Sequence, residues 1–425
     1  MRIATAAGAL AIGIAATPAF AESAEDITVK IRGLGQFDVA DYLQSGIARF
    51  LPAANGPDLS SGANFRRAYI GVQGNAFSVW SYNLNFDFGG SGGTEKDGHI
   101  QSAYIQYDGL APFTFRIGAY PPPAGLEDST SPQDTLFLER TAPSDILRNT
   151  AAGDGRDAAS IIYASERFFG AISFTGGKVG DGVTFDEQQA LVGRVSGVAY
   201  RDADTNIVLS GSITHVLRGA ESAAGPGSPR LLTLSAAPEL TVDATGTKLV
   251  STGALDAGTA TEWGAETGGN WKSLYAQAGY FGYRIDPRTA ARNLAFHGWY
   301  AQASWVLTGE RRRYNKSTAA FASPKPEKNA TLENGGMGAW ELAARYSDLD
   351  LDDRAGIAGA AAPAGGVRGG EQKIWTIGLN WYPDSVFKFM FDYQHVDVSR
   401  LGNATPFANV GQQFNALSAR AQISF

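Results

Sequence analysis

The chain has 425 residues, 52 glycines, no cysteine, 18% charged side chains and a formal net charge of −7. The lack of cysteine excludes disulfides and thiolate metal centres, and neither a C-x-x-C nor an H-E-x-x-H pattern occurs. The acidic balance argues against a nucleic-acid partner, and no cofactor or metal is expected.

The N-terminus opens with a short basic start, Met1-Arg2, then an apolar, small-residue stretch over 3–16 and an A-x-A site at Ala19-Phe20-Ala21. Residues 1–21 therefore read as a secretory signal, and 22–425 as one exported domain. No other window carries the run of about 18 uncharged apolar residues that a membrane helix needs.

Strand patterns follow. Residues 79–88 put Trp80, Tyr82, Leu84, Phe86 and Phe88 on one face and Ser81, Asn83, Asn85 and Asp87 on the other. The alternation recurs at 340–346, 374–381 and 386–394, where aromatic faces oppose residues such as Glu341, Arg345, Lys388 and Asp392. It recurs in 414–425, which stops on Phe425. A sandwich strand alternates too. Large aromatics against fully polar residues, repeated along an exported chain, point instead to lipid outside and water inside.

Counting from the N-terminus gives strands at 27–39, 65–75, 79–88, 99–107, 113–120, 157–164, 168–176, 190–200 and 206–216. The rest fall at 262–269, 271–284, 296–307, 340–347, 373–382, 386–395 and 414–425. The expected fold is an all-β transmembrane antiparallel barrel of sixteen strands. A hairpin within 230–240 would make it eighteen. Short periplasmic turns fall at 76–78, 109–112, 165–167, 201–205 and 383–385, and long external loops at 40–64, 121–156, 217–261 and 349–372. One connection breaks this rule: 308–339 lies on the periplasmic side yet is long, which marks a functional or disordered segment.

With the aromatic faces outward, Lys30, Arg32, Arg67, Arg116, Arg345, Lys388 and Arg420 point into the lumen, against fewer acids, Asp87, Glu341 and Asp392. Rings of Arg and Lys favour anions. The competing reading is that each pairs with a neighbouring carboxylate and stiffens the wall. The long segment 308–339 carries Arg311, Arg312 and Arg313, read first as a solvated or headgroup-facing run and second as an anion vestibule. An enzyme is not expected. His99, His215, His297 and His395 sit in no Ser/His/Asp pattern, and no G-x-S-x-G occurs.

Several stretches resemble one family, the phosphate- and polyphosphate-selective outer-membrane porins known as O/P porins. The residues that carry it are Phe65-Arg66-Arg67-Ala68-Tyr69-Ile70-Gly71, Phe115-Arg116-Ile117-Gly118, Phe137-Leu138-Glu139-Arg140, Leu307-Thr308-Gly309-Glu310-Arg311 and Trp340-Glu341-Leu342-Ala343-Ala344-Arg345-Tyr346. The resemblance implies a sixteen-stranded barrel in homotrimers, with loops folded inward and arginines at a constriction. It matches Arg67 and makes Arg140, in the third loop, the candidate for the narrowest section. The partners it implies are small inorganic anions, foremost phosphate or polyphosphate, and the lipid and lipopolysaccharide of the outer membrane. At Tyr120-Pro121-Pro122-Pro123 the chain departs from the family pattern, which keeps general diffusion of small hydrophilic solutes as the second reading.

Overall fold

A computed structural model describes residues 27–44, 56–90, 98–180, 185–225, 227–289, 292–331, 333 and 335–425. The signal segment at 1–21 lies outside them. The barrel strands are β1 Lys30–Leu43, β2 Gly62–Ala76, β3 Trp80–Asp87, β4 His99–Leu110, β5 Phe113–Ala119, β6 Arg156–Ala164, β7 Phe168–Lys178 and β8 Gln189–Arg201. They continue as β9 Thr205–Arg218, β10 Leu255–Trp271, β11 Leu274–Pro287, β12 Leu294–Val306, β13 Ala339–Asp353, β14 Val367–Tyr382, β15 Phe387–Ser399 and β16 Gln412–Ser424. Each pairs antiparallel with its sequence neighbours, and β1 pairs with β16 from Leu34↔Ser424 to Leu43↔Asn415, so the sixteen-stranded sheet closes. Closure removes every edge whose N–H and C=O groups would otherwise be unsatisfied in lipid. At the seam Gly33 and Phe425 exchange backbone hydrogen bonds of 3.0 and 3.1 Å. The Phe425 ring covers Gly33 and occupies the space that a Cβ there would need.

Outward positions are apolar and exposed: Phe37 and Val39, Ile105, Ile117, Ile172, Leu209, Ile377, Phe391 and Leu417 among them. Aromatic rings form two tiers on this surface. Trp305 and Trp381 lie at the periplasmic ends of β12 and β14, together with Trp80, Trp271 and Trp340. Trp263, Trp299 and Trp375 lie higher, with Tyr346 packed against Trp299 at 5.1 Å and Trp375 at 4.5 Å. Two girdles bounding an apolar band are what lipid interfaces select.

Strand limits differ most from the sequence reading at three places. The strand expected at 262–269 runs over Leu255–Trp271, and the hairpin turns at Lys272–Ser273, with Lys272 at φ 52°. Gly268 and Gly269 look like turn residues but sit within the strand because a neighbour presses close. A Cβ on Gly268 would lie 3.2 Å from Leu126 Cδ2. The loop expected at 349–372 is shorter, since β13 extends to Asp353 and β14 starts at Val367. There the pattern inverts: Leu349 and Leu351 are buried inside, and Asp348, Asp350 and Asp352 alternate with them outside. Within 230–240 only two-residue pairings occur, Leu231–Leu232 with β10 and Ser235–Ala236 with Val250–Ser251, so no further strand crosses.

Candidate pore constriction

The barrel interior is filled unevenly. The third external loop, between β5 and β6, enters the lumen through Tyr120 and the three prolines and carries one α-helix, α1 (Ala142–Ala151), after a short 3-10 turn at Pro132–Asp134. The helix buries Ile146, Leu147 and Ala151 among Phe281, Tyr283, Tyr300 and Leu349 from the far wall. Carboxylates of the wall and of the fifth external loop, between β9 and β10, take the third loop's backbone amides: Glu266 accepts from Leu126 N (2.5 Å) and Glu127 N (3.1 Å), Asp392 from Leu138 N (3.0 Å) and Glu239 from Ala142 N (2.7 Å). These contacts satisfy amides that a buried loop would otherwise leave unpaired.

From below, the long periplasmic connection between β12 and β13 folds up into the barrel. Its short hairpin, Arg313–Asn315 against Ala320–Ala322, packs Phe321 on Tyr275 and Tyr314. Fully buried Arg194 on β8 donates to Thr318 O and Ala319 O, both at 2.7 Å, and to Ser129 Oγ of the third loop at 2.6 Å. The arginine run is therefore split three ways. Arg311 donates to Ala203 O at the rim, Arg313 to Ser323 O, and buried Arg312 ion-pairs with Glu341 at 3.0 Å while reaching the carbonyl of Asp134 in the third loop.

What stays open follows from burial. Inward residues of β10–β16 are covered: Glu266, Gln277, Gln302, Arg345, Thr376, Asp392 and Arg420 are all buried. Toward the periplasmic ends of β2–β5, inward Gln73, Asn83, Asn85, Tyr104, Gln106 and Arg116 remain half-exposed and Arg32 on β1 is exposed, whereas Arg67, Asp87 and Ser102 of the same strands are buried. The water-accessible lane thus runs along β1–β5. A recess of about 650 Å³ opens near the end of α1, with Arg156, Lys178 and Lys248 in its wall.

Where loop meets lane, one carboxylate gathers three guanidiniums. Glu139 accepts from Arg66 in a fork (2.7 and 3.1 Å), from Arg67 at 3.5 Å and from Arg420 at 3.1 Å. A β-bulge between Gln36 and Phe37 on β1 opposes Arg67 and Phe65 on β2, leaving Arg66 as the extra residue, so two consecutive arginines reach the same carboxylate. These guanidiniums outweigh burial and hold the Glu139 carboxyl well below its usual range. Burial pushes Glu127, deeper in the loop, up to about 7 despite its bonds from Thr141.

The sequence-derived cations divide between these regions. Arg67 bonds Gln36 Oε1 at 2.8 Å besides Glu139. Arg345 pairs with Glu239 at 2.6 Å, donates to Glu139 O at 2.8 Å and lies over the Phe137 ring. Lys388 donates to Thr135 O at 2.6 Å. Arg420 grips both oxygens of Asp38 at 2.6 Å and reaches Leu138 O. Arg345, Lys388 and Arg420 pin the loop to the wall through its main-chain carbonyls, whereas Arg67 meets the loop only at the Glu139 carboxylate. Arg140 is buried and turned onto its own loop, with Nη2 bonding Thr130 O at 2.8 Å and Asp128 O at 3.3 Å. On the lane, Arg116 lies over Tyr104 at 4.3 Å and Tyr120 at 5.2 Å with Nε on Gln106, and Arg32 bonds Gln73. Lys30 is exposed at the start of β1. Three cations that the sequence reading did not assign to the pore wall matter as much: Arg66, Arg194 and Arg148, which bridges Asp128 (2.9 Å) and Asp154 (2.8 Å). Arg66 adjoined a recognised position, but period-two reading places it outward; only the bulge brings it in.

The constriction is charge-balanced. Five guanidiniums, on Arg66, Arg67, Arg140, Arg148 and Arg420, face five carboxylates, on Asp38, Asp128, Glu139, Asp145 and Asp154.

Comparison with known proteins gives a family model described as phosphate-selective porin O and P, matching residues 37–425. Porin O of Pseudomonas aeruginosa is 27% identical over 93% of this chain and 94% of its own. Among solved structures, trimeric OmpT of Vibrio cholerae matches with TM-score 0.53 at 12% identity, covering 94% of this chain and 99% of that one. The anion-selective porin from Comamonas acidovorans matches with TM-score 0.51 at 10% identity, over 94% and 100%.

Proposed function

Because this chain belongs to the phosphate-selective porin O and P family, an outer-membrane channel rather than an enzyme, we propose that its pore prefers small anions, phosphate foremost. The observation that carries this is the lane. Arg116 and Arg32 point into it, are held by amides and rings, and have no ion pair among the described residues. A guanidinium whose partners are neutral keeps its full charge for a passing anion, and its planar fork suits phosphate oxygens. We further infer export by the signal at 1–21, homotrimeric assembly like the trimeric OmpT, and lipid and lipopolysaccharide against the exposed apolar wall. General diffusion is the second reading, favoured by the charge balance at the constriction. Phosphate titrated against chloride current separates them. Anion preference predicts saturable block by phosphate that weakens in Arg116→Gln; a linear, unblocked current supports general diffusion.

A further inference from the structure

We propose that Glu139 is the internal counter-anion of the constriction, and that its charge sets how strongly the pore favours anions. The proposal rests on the anion-channel reading. Asp38 already matches Arg420 with two bonds of 2.6 Å, so the charge left for Glu139 to balance is that of Arg66 and Arg67. Two guanidiniums thus share one carboxylate. Arg66 is the more accessible, its side chain 21% exposed against 5% for Arg67, and it holds Glu139 through the bidentate fork that a phosphate would also use. A permeating oxyanion can take the place of one Glu139 oxygen on Arg66 without either group losing charged partners altogether.

The carboxylate is not what holds the loop in place. The main chain around it is fixed independently: Leu138 N by Asp392, Leu138 O by Arg420, Glu139 O by Arg345, and Arg140 by the carbonyls of Asp128 and Thr130. Glu139→Gln keeps shape and one acceptor oxygen, removes one negative charge, and turns the balanced cluster into one with net charge +1.

A unit charge about 5 Å from an ion in water changes its local concentration roughly fourfold, up for anions and down for cations. In planar bilayers under a KCl gradient, Glu139→Gln is expected to raise the chloride-to-potassium permeability ratio by about sixteenfold. It is also expected to lower the phosphate concentration for half-block by about fourfold, while Glu139→Asp stays near wild type. Arg66→Gln, which leaves the carboxylate in excess, is expected to lower the ratio. It carries the test if Glu139→Gln loses the heat-modifiable gel mobility of a folded barrel. An anion-preferring wild type whose ratio is unmoved by these variants overturns the role of Glu139 alone. A cation-preferring wild type overturns the anion-channel reading beneath it.

Discussion

Arg194→Met tests whether the periplasmic segment is part of the pore. The Arg194 side chain is wholly buried on β8, and its guanidinium supplies the donors for Thr318 O, Ala319 O and Ser129 Oγ. Methionine fills much of the same volume beside Phe169 but donates nothing. Two buried carbonyls then lose a charged donor, at about 1.5 kcal/mol each, or about 3 kcal/mol for the pair. The barrel strands do not depend on these bonds, so the loss falls on the docking of the segment. Its undocked population rises roughly a hundredfold, since about 1.4 kcal/mol is a factor of ten. Trypsin reports that population, because Arg311, Arg313 and Lys316 lie in the segment and cleavage needs several residues to leave the wall. The folded protein in detergent should be cut there about a hundredfold faster than wild type, with barrel mobility on gels retained. Single-channel conductance should rise as the lower half of the lumen clears. Cleavage within about threefold of wild type, at unchanged conductance, would refute the view that Arg194 docks this segment.

Other outcomes are expected at separate points. Phe425→Asp removes the ring over Gly33 and should lower the yield of folded barrel without reducing export, measured by heat-modifiable mobility of outer-membrane fractions. Gly33→Val, whose side chain must displace that ring, should do the same more weakly. Because burial raises the Glu127 carboxyl to about 7, its contribution to loop docking is full below its ordinary range and is lost as pH rises through about 7. Protease protection of the third loop should therefore be greater at pH 5 than at pH 8, and Glu127→Gln should flatten that difference. Arg140→Glu places a carboxylate against the carbonyls of Asp128 and Thr130, so it should impair loop docking and protease resistance more than it shifts selectivity. A clean reversal of selectivity with normal stability would return Arg140 to the filter.

The barrel was legible because lipid imposes a period-two contrast strand by strand. That contrast holds at β3, β14, β15 and β16, and the count of sixteen follows from it. It failed at 349–353, where the wall has risen above lipid and the leucines of Asp348-Leu349-Asp350-Leu351 turn inward against the fifth loop. The lumen was less legible. Parity told which face Arg345, Lys388 and Arg420 occupy but not what meets them there, because their partners, Glu239, Thr135 and Glu139, lie 100 or more residues away in loops with no period. Arg66 was hidden by the bulge. The inward fold of 308–339 did leave a trace, since Tyr314, Ala319, Ala320 and Phe321 interrupt an otherwise polar, basic run and now form its buried side.

The most direct test of the central claim is the zero-current potential of wild-type channels across a tenfold KCl gradient, read before and after adding phosphate. Arginines held by neutral partners along the β1–β5 lane predict a potential of the sign set by chloride, moving with phosphate as its oxyanion occupies them. A potential of the sign set by potassium, indifferent to phosphate, would contradict the account.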